Sequence, residues 1–562
     1  MRGRGRTIST VAALAAVALV TAACSGGSPQ NTSSPSGGQV KKGGTLRLGT
    51  ASGIDSLNPF VTFQQDSYSS FEYIYPFLVQ YDTKSLQFAP DFASSWETSS
   101  DGLTWTFHTR PNAKWSDGQP LTAEDAAWTF ETIIKYQKGP TANFGQDFAH
   151  VSSITTPDPN TLVITYKKPV AVVLSNLQQV PILPEQVWGK YATGDGKGLK
   201  TYPNEPPNGQ PMVGGGPFVL AKYQKKQIAL FQANPSYYGT EPHIDGFGLQ
   251  FFDNDDAMVS ALKTGQLDAI ETVPATSVST LKAGGANVFI GPGLEFHDFI
   301  INSNPKKTKN PELLNPQVKM AFEYAIDRNE IVKTAWLGYG QPGTTIVPPG
   351  TGTWHDSSIK ALPFDLDKAN QILDALGYTK GSGGIRVANG HPMSYTVIFP
   401  HDEQGSGDRA FTIIQNDFSQ IGVKLTQKPM DDSAAFAAIT APGETGYTEF
   451  DLAMWDWVPL EDPDFILSVM QCNQFGAWSD SGYCNADYDK MYLDQSAAVD
   501  PKQRLQIVYQ MQKKIFDDRP YIVLNYQDIL DAWTNGWTGF VESNQGLFNP
   551  LSKESMVSVH QV

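Results

Sequence analysis

Cysteine is scarce in this chain, three in 562 residues, and charge is thin, at 17% of residues. A mainly disordered chain would carry more charge and fewer apolar residues than the 40% present. Outside the N-terminus there is no apolar run long enough to span a bilayer, which excludes a polytopic membrane protein. Absent as well are the Gly-x-Ser-x-Gly elbow, the His-Glu-x-x-His zinc motif and a phosphate loop ending in Gly-Lys-Ser or Gly-Lys-Thr. The eight histidines are scattered. His297 adjoins Asp298 and His401 adjoins Asp402, but neighbours along a strand point to opposite faces, so neither pair makes a triad. These gaps argue against an enzyme, and no cofactor or metal is expected. Basic residues are short too: 41 Lys and Arg against 57 Asp and Glu leave a net charge of −16, which repels nucleic acid phosphates.

What is present begins with a leader. Arg2, Arg4 and Arg6 precede the apolar stretch Val11 to Val20, too short to span as a mature helix, and Thr21, Ala22 and Ala23 are small. Residues 1–23 read as a secretory signal. Cys24 follows, then a Gly, Ser, Pro and Asn tract to Gly38, so residues 24–42 read as a flexible tether. Val20 to Cys24 is similar to a lipoprotein signal, in which the cysteine thiol takes a diacylglyceryl group; Thr21 stands where Leu is usual. Acyl chains on Cys24 would hold the protein on the outer face of the cell membrane, or in the periplasm. The alternative is an ordinary cleaved signal with an incidental cysteine. Cys472 and Cys484 remain as an even pair in loop-like sequence, which reads as a disulfide; a metal pair is the alternative, with no His nearby to support it.

Strand-period alternation marks Thr45 to Leu48 and the run Leu103, Trp105, Phe107. Thr122 and Asp125 form a capping-box start for a helix through Tyr136, and Asn315 before Pro316 starts another. Asp327 with Glu330 predicts a restart at Ile331. Further helices are predicted over Leu366–Leu376 closed by Gly377, Phe411–Ile421 closed by Gly422, and Lys502–Phe516. Strands and helices mix without strict alternation, so the fold class is α/β (mixed α+β), in a chain long enough for more than one lobe.

Short motifs follow one another along the chain: Gly43 to Leu46 with Asp55 to Pro59, Ala93 to Glu97, Ala113 to Gly118, Val213 to Phe218, Asn234 with Pro235, and Ala321 to Arg328. Their order resembles the extracellular solute-binding proteins, family 5. Most of these residues also have a plain structural reason: Asp117 and Gly118 suit a turn, and Trp115 suits a core. The resemblance implies a two-lobe periplasmic-binding-protein-like fold with a hinge and an interlobe cleft. Lobe one would take residues 43–270, lobe two residues 271–524, and residues 525–562 would return to lobe one. It also implies the substrate-binding component of an ABC importer, a monomer that captures oligopeptides or similar extended solutes and hands them to membrane permease and ATPase subunits.

In peptide-binding relatives the solute backbone lies against exposed strands of both lobes. The matching residues are Ser52, Gly53 and Ile54 in lobe one, with Met454, Trp455, Asp456, Trp457, Glu461 and Asp462 in lobe two. The two tryptophans would wall the cleft, or else pack in the core. Pro459 stands where peptide binders of the family carry an aspartate for the α-ammonium, leaving Asp456, Glu461 or Asp462 as substitutes. An oligosaccharide, stacked on Trp455, Trp457 and Trp478, and a chelated metal or haem are the alternative ligands.

Overall fold

The computed structural model describes residues 40–562, apart from 52, 63–64, 146, 204, 207–208, 401–404, 441–447, 545 and 548–552. The signal segment, Cys24, Ser52, His401 and Asp402 lie outside the described residues. Among the described residues no helix is long and apolar enough to cross a membrane.

The first alternating run becomes strand Thr45–Thr50 (β1), which buries Leu46 and Leu48. It joins an 11-stranded sheet. The other strands of that sheet are Phe218–Gln224 (β2), Ile228–Ala233 (β3), Gly246–Phe251 (β4), Ala269–Ile270 (β5), Asn287–Ile301 (β6), Gly340–Pro342 (β7), Ser394–Pro400 (β8), Lys424–Met430 (β9), Leu452–Trp457 (β10) and Tyr521–Trp533 (β11). Their order is β9-β8-β10-β6-β11-β5-β1-β4-β3-β2, with β7 pairing β11. The run around Trp105 forms Thr104–Thr109 in a separate four-stranded antiparallel sheet.

Local signals hold for the helices. In Ala123–Tyr136, Thr122 accepts from Glu124 N at 3.3 Å while Asp125 accepts from Thr122 N at 2.9 Å, a reciprocal cap. Asn315 caps Pro316–Tyr324 by accepting from Gln317 N at 2.9 Å. Gly377 and Gly422 take the left-handed conformation just past Leu366–Ala375 and Ser406–Gln420. Two expected boundaries move. The helix capped by Asp327 starts at Arg328 and runs into a π turn over Ile331–Ala335. The helix expected from Phe411 begins at Ser406, because its polar first turn carries no apolar stripe for a sequence reading to find.

One core lies about β1 to β4, with Trp115, Phe130 and Trp188, and is joined by Trp537, Met556 and Val559 from the chain's end. The far half of the sheet is covered on both faces. Phe322, Leu373 and Phe418 pack on one, and Ile466, Tyr488, Val508 and Met511 pack on the other, from helices Asp464–Val469, Ala486–Ala497 and Pro501–Asp518.

Candidate functional site

Strand direction locates the site. β1 runs parallel to β4 and β5, and β8 runs parallel to β9 and β10. The two sets attach to opposite ends of the long antiparallel pair β6–β11: β5 meets β11 at Ala532 and Trp533, whereas β10 meets β6 from Phe296 to Ile301. Because β5 and β10 run toward the middle of that pair, the carboxyl ends of both parallel sets converge there. Open α/β sheets bind ligands in the crevice outside such carboxyl ends. The β6–β11 ladder is itself interrupted at this point, between Pro292 and Phe296 and again between His297 and Asp298.

The loops leaving β1 and β10 are each held by polar contacts. After β1, the Ile54 carbonyl accepts from the Tyr223 hydroxyl at 2.9 Å, and Asp55 accepts from the Ser67 hydroxyl at 2.7 Å at the start of helix Gln65–Ile74. On the other side, Asp462 grips the Arg504 guanidinium with two bonds of 2.5 and 2.6 Å, both groups buried, and Arg504 lies over the Trp354 ring at 4.8 Å. Gln495 links Arg504 to Asp464 through bonds of 2.9 and 2.5 Å. A backbone bond of 2.8 Å from Ala171 N to Ser496 O also ties the two sides.

Carboxyl groups face one another along this seam. Burial pushes the Glu72 carboxyl up; Lys553 opposes the shift, and Asp91 and Glu461 add to it. Burial also raises Asp147, to about 8, with Asp464 opposite adding repulsion. Asp464 is raised by its own burial, against the pull of Arg504. The Tyr81 hydroxyl is raised by burial and then by Asp462 and Glu461. The seam thus gathers buried carboxyl and phenol groups that desolvation holds toward their neutral forms.

Strand β10 pairs with β6 along its whole length, whereas among the described residues its ladder to β8 covers Leu452 and Ala453. Of the residues singled out in it, Met454 is buried in the core face and Trp457 is 7% exposed, while Trp455 and Asp456 are partly open. Trp457 donates its Nε1 to Asp480 at 3.0 Å, and the Tyr521 hydroxyl donates to the same carboxyl group. Ile54, in the core about β1, and Glu461 and Asp462, in the loop after β10, are buried, and Gly53 is half-buried. The structure pairs Cys472 with Cys484.

Arg504, Glu72, Asp147 and Asp480 were not found by sequence reasoning. Only Asp480 carried a signal, its place between two cysteines and two residues after Trp478; the others are isolated charges on helices and loops.

The sequence pattern described as bacterial extracellular solute-binding proteins, family 5 middle, matches residues 87–476. The chain is 27% identical over 555 residues to Protein XP55 of Streptomyces lividans, covering 98% of this chain and 96% of that protein. It is 25% identical over 524 residues to the probable D,D-dipeptide-binding periplasmic protein DdpA of Escherichia coli, covering 91% and 92%. The oligopeptide-binding protein AppA of Bacillus subtilis, solved with a nonapeptide, superposes with a TM-score of 0.77 at 21% identity, over 93% of this chain and all (100%) of that one. NikZ of Campylobacter jejuni, solved with Ni(L-His), gives 0.78 at 19% identity, over 92% and 99%. At these identities the superpositions speak for the fold.

Proposed function

The chain belongs to the bacterial extracellular solute-binding proteins of family 5, and on that premise we propose that it captures a short peptide, or an extended solute of similar chemistry, for an ABC importer. Membership puts it among solute binders rather than enzymes. The observation that carries the ligand class is the ladder of β10. A solute backbone laid along Trp455 to Trp457 continues the hydrogen-bonding that β8 leaves off after Ala453, at the carboxyl end of three parallel strands. Main-chain bonds of this kind accept many side chains. An ammonium group arriving beside Glu72 and Glu461 would draw these buried acids into their charged form and pair with them, in place of the aspartate replaced by Pro459.

We read the molecule as two lobes that close over the solute, crossing near residues 292–296 and 526–528 rather than at 270 and 525. The ladder irregularities of β6 fall at that level, and a few displaced residues are enough for a hinge. Solute touching both sides favours the closed form. We also read Cys472 and Cys484 as a disulfide, residues 1–23 as a signal and Cys24 as the lipidated residue that anchors a monomer beside its permease and ATPase partners; intact-mass measurement of protein from the producing cell tests these.

The test of function is native mass spectrometry of protein purified without denaturation, followed by thermal-shift titration with the recovered solutes. A ladder of peptide masses is the expected result. A hexose series or a metal-chelate adduct in its place rejects the peptide reading.

A further inference from the structure

Trp478 is unusual in its setting. It is 44% exposed, the sole tryptophan among the exposed large apolar side chains of the described residues. Yet it is not adrift. Its ring lies 5.5 Å from Phe465, 6.2 Å from Phe436 and 6.4 Å from Trp457, and Phe436 in turn lies 5.6 Å from Trp455. The segment carrying it is held on both sides. Before it, Cys472 N donates to Asp489 at 3.0 Å; after it, Ser479 N closes a turn onto Gln474 O at 3.1 Å, and buried Asp480 holds Trp457 and Tyr521. Beyond Asp480, Ser303 N donates to Ser481 O at 2.7 Å. The pairing of Cys472 with Cys484 closes the segment.

An apolar ring kept half in water by such bracing is a preorganised surface that loses little entropy when covered. Its position says what covers it. Trp455 and Trp457 are two residues apart on β10 and therefore share one face of the sheet. A solute strand added beside β10 turns every second side chain to that same face, against these rings. We propose that Trp478, Phe436 and Phe465 complete an apolar subsite with Trp455 and Trp457, and that it takes an aromatic or large aliphatic side chain of the bound solute. Acidic side chains are disfavoured there because a carboxylate among these rings gives up its hydration with no donor in return. This inference rests on the strand-addition reading above.

The test uses an equimolar pool of pentaalanine variants in which each position in turn is Phe, Trp, Leu, Ser or Asp, offered to the whole protein stripped of endogenous solute. Retained peptides are separated from free ones and quantified by mass spectrometry. Members with Phe, Trp or Leu at one position are expected to be enriched about tenfold over pentaalanine. In Trp478→Ala that enrichment falls to near unity, and in Trp478→Phe most of it returns. Retention without side-chain bias, or a bias equal in wild type and Trp478→Ala, overturns the subsite and leaves the peptide reading standing. Retention of no member overturns the peptide reading, and the subsite with it.

Discussion

The indole of Trp457 donates to the carboxyl group of Asp480 at 3.0 Å, joining strand β10 to the loop closed by Cys472 and Cys484. Tyr521 donates to the same acid from the neighbouring long strand β11. Three segments distant in sequence thus meet at one buried acceptor. Trp457→Phe keeps most of the packing and removes one donor, so it is expected to cost about 1–3 kcal/mol in denaturant unfolding. An unchanged midpoint would mean the bond contributes nothing net.

Trp455 is the part-open member of the pair, so Trp455→Ala separates binding from folding better than any change at Trp457. The expected result is a loss of most of the solute-induced rise in Tm, with far-UV circular dichroism unaltered. Trp457→Ala, at a site only 7% exposed, is expected to lose about 3–5 kcal/mol of stability outright. Equal solute-induced shifts in wild type and Trp455→Ala would remove β10 from the site.

Asp480 is raised to about 7 by burial, and Asp298, buried beside it, is raised by burial and then by Asp480. An unfolded aspartate titrates near about 3.9. The folded chain therefore holds these protons more tightly than the unfolded chain does. The stability they contribute is full below about pH 4 and is lost as pH rises toward about 7, where Asp480 ionises. Asp298→Asn removes the like charge, so its Tm is expected to exceed wild type by about 2 °C or more at about pH 8, with a smaller gain at about pH 5. A gain of the same size at both pH values would refute the linkage.

The proposed closure has a proton linked to it. Asp147 is raised to about 8 by burial and by Asp464 across the seam, with Tyr68 beside it, Asp55 on Tyr68 in turn, and Arg504 behind Asp464. If opening hydrates and separates the two acids, the closed form alone retains the proton above the ordinary carboxylate range. Raising pH through about 8 is then expected to weaken affinity for the recovered solute, and Asp147→Asn to flatten that dependence. Titrations across about pH 6 to 9 in both proteins check this; parallel slopes would reject it.

Arg504→Met strands Asp462 in a buried site and is expected to destabilise the protein by about 3–5 kcal/mol by chemical unfolding. The double variant Arg504→Met with Asp462→Leu recovers part of the loss, because the uncompensated charge goes with it. A double variant as unstable as the single one would show that the pair's packing over Trp354 matters more than its charge.

How much of this was legible follows the range of each interaction. Thr122 with Asp125, Asn315 before Pro316, and Gly377 and Gly422 were readable because a cap is closed by groups a few residues apart. The turn at Arg519 was not: helix Pro501–Asp518 ends on a non-glycine residue in the left-handed conformation, held by contacts of its guanidinium with Glu323 and Phe516. The segment Gly291, Pro292, Gly293 reads locally as a break, yet it lies inside the 15-residue strand β6, where pairing with β11 along both flanks overrides the local preference. Of the site, the β10 segment and the loop after β1 came from resemblance, whereas the partition of β10 into buried Met454 and Trp457 and part-open Trp455 came from the packing of two cores on its faces.

The residues in order, taken alone, decided that the chain is acidic and is built of mixed strands and helices capped where they are, for which composition, periodicity and short-range hydrogen bonds suffice; its place among solute binders came from the resemblance of its motifs to a family. Only the folded chain decided which acids share a seam, which tryptophan stands in water, and where two sets of parallel strands aim their carboxyl ends. Those depend on groups as far apart in sequence as Arg504 and Asp462, or Trp457 and Tyr521, whose meeting is fixed by sheet register and by burial and by nothing local to either.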